Sequence, residues 1–232
     1  MVLSSYNQGL TWTSFTFSQT KLKDVAIYVS AAAAAVAAAP SRSFVVAVSN
    51  AGRVVVSSDG GGSWAITPVA AALFGVTIAG NGDVFAVGAG AILKSSVASS
   101  SFSSWTFITP ANVPSTTLNG VCSKDGLNVF SVGMAGVIFV SPDAGATWSV
   151  RPSGSTADLY GVSCIGASTA FVGGTGATIL KTTNGGLTWA SLSPNVLGVG
   201  GITSTTSFKY RAIVAVSASV VFATGSNGVV IR

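Results

Sequence analysis

An eight-residue motif, present four times, constrains the fold of this chain more than any other feature. In its clearest copy, Thr182, Asn184, Gly186 and Thr188 stand at alternate positions and Trp189 follows at once. Asp or Asn side chains accept hydrogen bonds from turn amides, and glycine permits the backbone to reverse. Each copy therefore predicts a tight turn followed by a tryptophan that packs against a sheet. The residues to which we assign this structural role are Asn7, Gly9, Trp12, Asp59, Gly61, Trp64, Asp143, Gly145, Trp148, Asn184, Gly186 and Trp189.

The tryptophans recur at a nearly constant spacing. Trp12, Trp64, Trp105, Trp148 and Trp189 are separated by 52, 41, 43 and 41 residues, although the unit of Trp105 has lost the rest of the motif. Within the fourth unit, the runs LYGVSCIG, STAFVGG, ATILKTT and LTWASLS read as four strands separated by turns rich in glycine and asparagine. Repeats of about 40 to 50 residues with several short strands are typical of propeller blades. The sequence predicts an all-β, five-bladed β-propeller with four-stranded blades.

We expect one propeller domain over residues 1–232. Its blades are predicted at about 24–70, 71–112, 113–154, 155–195, and 196–232 together with 1–17. The chain ends in SNGVVIR, where a third strand should lead into a motif, whereas we expect no third strand before the motif at residues 5–12. We therefore expect residues 1–23 to supply a closing outer strand, with 11–17 beside 228–232. Such a join would remove the free sheet edges of an open ring.

Composition argues against catalysis. The chain has six acidic residues, all Asp, and no histidine. Paired-carboxylate hydrolysis, Ser-His-Asp triads and ordinary zinc sites therefore lack their side chains. We expect no enzymatic activity, catalytic residue, metal or cofactor.

Two other sequence features concern compartment and membrane. Cys122 and Cys164 are interpreted as small buried apolar residues, and their redox state and the compartment stay open. Residues 25–40 are uncharged and rich in alanine, but they are too short to span a bilayer and end at Pro40. We expect no transmembrane segment.

Positive charge recurs at one position of the repeat. Net charge is +5, and the residue just before a motif position is basic in three of five units: Lys94, Lys181 and, at the chain end, Arg232. Equivalent positions lie on one ring, so these residues predict a basic face that steers an acidic protein surface. The other cations are scattered, which does not favour nucleic-acid binding.

The repeats also resemble known families. The motif resembles the Asp-box, or bacterial neuraminidase repeat, whose role is structural. The stretches 118–148 and 159–189 resemble the photosystem II assembly/stability factor family, whose repeats follow L-x-G-V and end in D-G-G-x-T-W. This resemblance implies a non-catalytic propeller of the thylakoid lumen that docks on photosystem polypeptides. The alternative is an extracellular, glycan-binding propeller.

Overall fold

A computed structural model describes residues 2–4, 10–11, 13–17, 21–29, 43–96, 104–109, 116–192, 208–226 and 230–231. Within these ranges the chain is built of β-strands and turns, with one short 3-10 turn at Met134–Gly136 and no α-helix. The prediction of an all-β chain is confirmed. The predicted residues Asn7, Gly9, Trp12 and Arg232, and the alanine run 31–39, lie outside the described residues.

The strands follow one another in antiparallel sheets. In the described residues they are β1 Val2–Ser4, β2 Thr13–Phe15, β3 Leu22–Val29, β4 Ser43–Ser49, β5 Arg53–Ser57, β6 Ala65–Pro68, β7 Leu73–Ile78, β8 Asp83–Gly88, β9 Ala91–Ser96, β10 Thr106–Phe107, β11 Leu118–Ser123, β12 Val129–Gly133, β13 Ile138–Ser141, β14 Ser149–Arg151, β15 Leu159–Cys164, β16 Ala170–Gly174, β17 Ile179–Thr182, β18 Ala190–Leu192, β19 Tyr210–Ala215, β20 Val221–Gly225 and β21 Val230–Ile231.

Each sheet is formed by strands that are consecutive in the chain. We call β3–β6, β7–β10, β11–β14 and β15–β18 sheets 1 to 4; each has four strands. Sheet 5 contains β19–β21, and β1–β2 form the N-terminal hairpin. Consecutive pairing follows from the short turns, because closing a short loop costs little conformational entropy.

Apolar residues point from both faces of the middle strands of sheets 2 to 4, because each of these sheets packs between two others. One buried cluster joins sheets 1 and 2, with Val46 and Leu73 among its members, and a second joins sheets 2 and 3 around Phe85. Two further clusters join sheets 3 and 4 around Phe130 and sheets 4 and 5 around Phe171. The core is therefore a series of apolar layers between successive sheets, the packing expected of blades.

The N-terminal motif has a strand before it, contrary to the expectation from sequence. Val2–Ser4 pairs with Thr13–Phe15, so this short strand takes the place of a third strand. The register, Val2 with Phe15, reproduces that of Ile179 with Leu192 in sheet 4. Among the described strands β2 is paired with β1 and β21 with β20. The expected pairing of 11–17 with 228–232 stays a prediction. Closure of the ring and a count of five blades stay predictions.

The two cysteines are bonded to each other. Cys122 and Cys164, whose redox state the sequence left open, form a disulfide with Cα atoms 5.8 Å apart. Cys122 ends the first strand of sheet 3 and Cys164 that of sheet 4, so the bond ties two successive sheets together.

Candidate functional site

The motif turn of sheet 3 is held by its own polar side chains. The Asp143 carboxylate accepts hydrogen bonds from the Ser141 hydroxyl at 2.8 Å and from the Thr147 amide at 2.7 Å. Ser141 Oγ in turn accepts from the Gly145 amide at 2.8 Å. The Thr147 hydroxyl, followed by the Thr147 amide, lowers the pKa of Asp143 below its usual value. This carboxylate is committed to the turn.

The same geometry recurs in two other copies. Asp59 accepts from the Ser63 amide at 2.9 Å and from its hydroxyl, which chiefly holds the pKa of Asp59 well below its usual range. Asn184 replaces the carboxylate in sheet 4, where its Oδ1 accepts from the Thr188 amide at 3.0 Å and its Nδ2 donates to the Thr188 hydroxyl at 2.8 Å. The polar residues of the motif therefore serve the turn.

The motif tryptophan and glycine pack against the preceding sheet. Trp189 of sheet 4 meets Phe130 of sheet 3 edge to face, with ring centroids 6.2 Å apart. A Cβ on Gly186 would lie 3.1 Å from the Phe130 ring, and Trp148 packs likewise on the cluster of Phe85. The motif thus seals each sheet onto its neighbour.

Two residues of the predicted basic face already have partners inside the protein. Lys94 Nζ lies 3.0 Å from an Asp83 carboxylate oxygen, donates to the Ala144 carbonyl at 3.1 Å and sits 5.4 Å from the centre of the Phe85 ring. Lys181 Nζ donates to the Ala218 carbonyl at 3.1 Å. A docking partner at this face would have to replace these contacts.

A groove runs beside Lys181, between sheets 4 and 5. Its volume is about 490 Å³, and its lining is mostly apolar: Phe171, Ile179, Lys181, Leu192, Val221 and Ile231. Over Phe85 of sheet 2 and Phe130 of sheet 3, the equivalent space is taken by the glycine and tryptophan of the motif in the following sheet. The groove over Phe171 therefore lies at the place where the glycine and tryptophan of a motif pack over Phe85 and Phe130.

A second set of residues shares one unusual backbone feature. The first strand of every sheet has a break in its register, and each break skips a single residue. Bulges of this kind re-aim a side chain away from the regular alternation and are frequent beside functional sites. We call the skipped residues the bulge ring: Lys23, Phe74, Asn119, Tyr160 and Arg211.

Three members of the bulge ring make contacts between successive sheets. Asn119 Nδ2 donates to the Leu159 carbonyl at 2.8 Å. The Arg211 guanidinium lies 5.6 Å from the centre of the Tyr160 ring, and Lys209 Nζ lies 6.0 Å from it. Cations at this distance from an aromatic face are held by its quadrupole. The ring therefore offers cations, aromatic surface and an amide side by side.

The glycine that follows a bulge explains this closeness. A Cβ on Gly120 would lie 2.5 Å from the Tyr160 carbonyl oxygen, and one on Gly75 would lie 2.9 Å from the Asn119 carbonyl oxygen. Any larger residue would push the first strands apart. The L-x-G-V pattern contained part of this signal, because its variable position is occupied by Phe74, Asn119 and Tyr160. The sequence analysis used the glycine of the pattern and did not consider the variable position.

The described residues include no group of three or more His, Cys, Asp or Glu side chains placed to hold a metal ion. In the same residues, no helix has the length and apolar character needed to cross a bilayer.

No protein-family description and no curated protein matches the sequence. Solved structures do match the fold. YCF48 from Cyanidioschyzon merolae is 15% identical with a TM-score of 0.67, over 98% of this chain and 74% of that one. A structure of YCF48 bound to D1 peptide is 12% identical with a TM-score of 0.61, over 91% and 62%.

A second group of similar structures consists of WD40 repeats. Those of RRP9 are 10% identical with a TM-score of 0.65, over 81% of this chain and 57% of that one. Two groups so distant in sequence share little beyond their architecture. The fold of this chain is therefore that of a β-propeller.

Proposed function

We propose that this chain is a non-catalytic, protein-binding propeller whose partner is a photosystem polypeptide. The observation that carries the proposal is the bulge ring, in which Arg211 and Lys209 flank the exposed part of Tyr160. Aromatic and arginine side chains are the residues on which protein interfaces most depend. The similar fold of YCF48, which has been solved with a D1 peptide, supports a peptide partner, as does the repeat-level resemblance to photosystem II assembly factors.

The charge of the chain suits such a partner. Net charge is +5, and the cations Lys23, Lys209 and Arg211 all lie at or beside the bulge ring. A cluster of this sign accelerates the approach of an acidic segment and sets its orientation. The bulge ring is therefore a better candidate contact than Lys94, which is paired with Asp83.

The disulfide supports a compartment outside the reducing cytosol. Disulfides persist in oxidising compartments and are rare where glutathione and thioredoxin keep thiols reduced. The bond between Cys122 and Cys164 therefore fits the proposed thylakoid lumen, and it fits an extracellular location equally. The glycan-binding alternative finds no support among the similar folds.

Binding of a fluorescent D1 peptide, followed by anisotropy against ionic strength, tests the proposal. We expect saturable binding that weakens as salt is added. Arg211→Glu should weaken it on the order of tenfold, or about 1.4 kcal/mol. Lys124→Glu is the matched control, because it makes the same charge change on an exposed residue of the turn between β11 and β12.

The outcomes separate the candidate sites. Equal effects of Arg211→Glu and Lys124→Glu would show that only net charge matters and would remove the bulge ring from the proposal. A loss confined to Lys181→Glu would move the contact to the basic face predicted from sequence. Binding that resists salt and is competed by free sugar would favour the glycan-binding alternative.

A further inference from the structure

The two ends of the row of sheets expose apolar faces that are buried everywhere between them. Phe85, Phe130 and Phe171 occupy one position of the repeat, on the face that each sheet turns toward the following sheet, and are 0%, 0% and 2% exposed. Phe222 occupies the same position in sheet 5 and is 38% exposed. We call this the leading face of sheet 5.

The leading face extends beyond Phe222. Val214 pairs directly with Phe222 across β19 and β20, and it is 58% exposed. Val230, on β21, lies on the same side and is 61% exposed. Val and Phe side chains left in water lack the stabilising burial that the equivalent residues have elsewhere in the fold.

The opposite end exposes the complementary face. Val25, Ile27 and Val29 alternate along β3, on the side of sheet 1 that faces away from sheet 2, and are 51%, 66% and 58% exposed. We call this the trailing face of sheet 1. The residues that follow the bulge at the equivalent position of later sheets, Val76 and Val121, are 5% and 7% exposed.

These two faces are the two halves of a contact that the chain makes repeatedly. Phe85 packs with Val121 in the cluster between sheets 2 and 3. Phe171 packs with Ile213 in the cluster between sheets 4 and 5. Phe222 is therefore expected to pack against a residue at the repeat position of Val25, on the first strand of a following sheet.

The N-terminal hairpin leaves room for this contact. Phe15 and Phe17 lie 5.9 and 5.8 Å from Trp64, measured between ring centres, so the hairpin covers the outer part of sheet 1. The inner strand β3 stays exposed beside it. Strands β19 and β20 from sheet 5 of another copy would fill that inner position. Their neighbour β21, which is two residues long, would be displaced by β1.

We infer that this chain associates head to tail with a second copy of itself, the leading face of sheet 5 on one copy packing against the trailing face of sheet 1 on the other. Among the residues that the structure describes, none covers either face. A second copy carries the matching face, with the same pairing of apolar residues that joins successive sheets within the chain. Such a contact is heterologous, because the two copies contribute different faces. A dimer therefore keeps one leading face and one trailing face uncovered, and further copies can add at either end.

Two variants, each with one face blocked, test the contact. Ile27→Asp places a charge on the trailing face, and Phe222→Asp places one on the leading face. Sedimentation velocity of the unmodified chain should show association that increases with concentration, whereas each variant alone should be monomeric. An equimolar mixture should form a dimer and nothing larger, because one unblocked face remains on each variant. Leu127→Asp, which changes an exposed leucine in the turn between β11 and β12, should associate like the unmodified chain.

The contrary results are equally distinct. An unmodified chain that stays monomeric at every concentration would overturn the inference and favour closure within one chain. Variants that still associate alone, or a mixture that stays monomeric while both variants show cooperative melting, would also overturn it. Dimer formation in the mixture shows at the same time that both variants are folded.

Discussion

Breaking the disulfide between Cys122 and Cys164 should cost this chain a large part of its stability. The two residues are 42 positions apart, so the bond closes a loop of about one repeat in the unfolded chain. The chain-entropy relation for a loop of this length gives about 4 kcal/mol. For a protein of this size that corresponds to a fall in Tm of roughly 8–16 °C. The loss should fall on the contact between sheets 3 and 4, since the bond joins their first strands.

Urea unfolding of the oxidised and reduced protein measures this loss directly. Cys122→Ser should show the same reduced stability with or without reductant. The double variant Cys122→Ser with Cys164→Ser is the control for the reductant, which should not change its unfolding midpoint. A thiol titration of the native protein should find no free thiol until reductant is added.

Two results would refute the reasoning. Two reactive thiols in protein prepared without reductant would show that the bond does not form. An unchanged midpoint on reduction would show that the bond does not stabilise the fold by restraining the unfolded chain.

Two further predictions concern the motif turns. Gly186 has φ of +79° and lies against Phe130, whereas Gly185 has φ of +69° and nothing within 4 Å of an added Cβ. Gly186→Ala should therefore lower the free energy of unfolding by about 1–3 kcal/mol more than Gly185→Ala. Equal losses in urea unfolding would show that the space beside Phe130 accepts an added methyl group without strain. Asp143→Ala removes the hydrogen-bond acceptor of the turn and should lower the free energy of unfolding by roughly 1–3 kcal/mol. The pKa of Asp143 in the folded state lies below its usual value, so its carboxylate stabilises the fold above pH 4. This stabilisation is lost as pH falls through the folded pKa. Asp143→Asn, which copies Asn184, should keep most of the stability at neutral pH and lose less on acidification; melting curves from neutral to acid pH that superimpose for the Asp and Asn forms would contradict this.

The repeat explains how much of the fold could be predicted. The position of the motif in each repeat predicted where the hairpins lie, because an Asp or Asn followed by glycine and tryptophan specifies one type of turn. The structure forms that turn at Asp59, Asp143 and Asn184. The N-terminal hairpin was missed because Val2–Ser4 is short and lacks the lysine of the equivalent Ile179–Lys181 stretch. Its register with Phe15 is nevertheless that of the repeat, so a residue-by-residue alignment of residues 2–15 with 179–192 would have predicted it.

The contacts between sheets were harder to predict, because they depend on which face of a strand each residue occupies. Cys122 and Cys164 are separated by 42 residues, whereas Leu118 and Leu159, at equivalent positions of the same two strands, are separated by 41. Cysteines at equivalent positions would point the same way around the row of sheets and could not meet. A difference of one residue reverses the face, because successive side chains of a strand point to opposite sides, so Cys122 points forward and Cys164 points back into the same layer. The apolar cluster between sheets 3 and 4 thus holds both sulfur atoms, and the disulfide follows from the parity of the spacing together with the side-by-side packing of first strands that Gly120 permits.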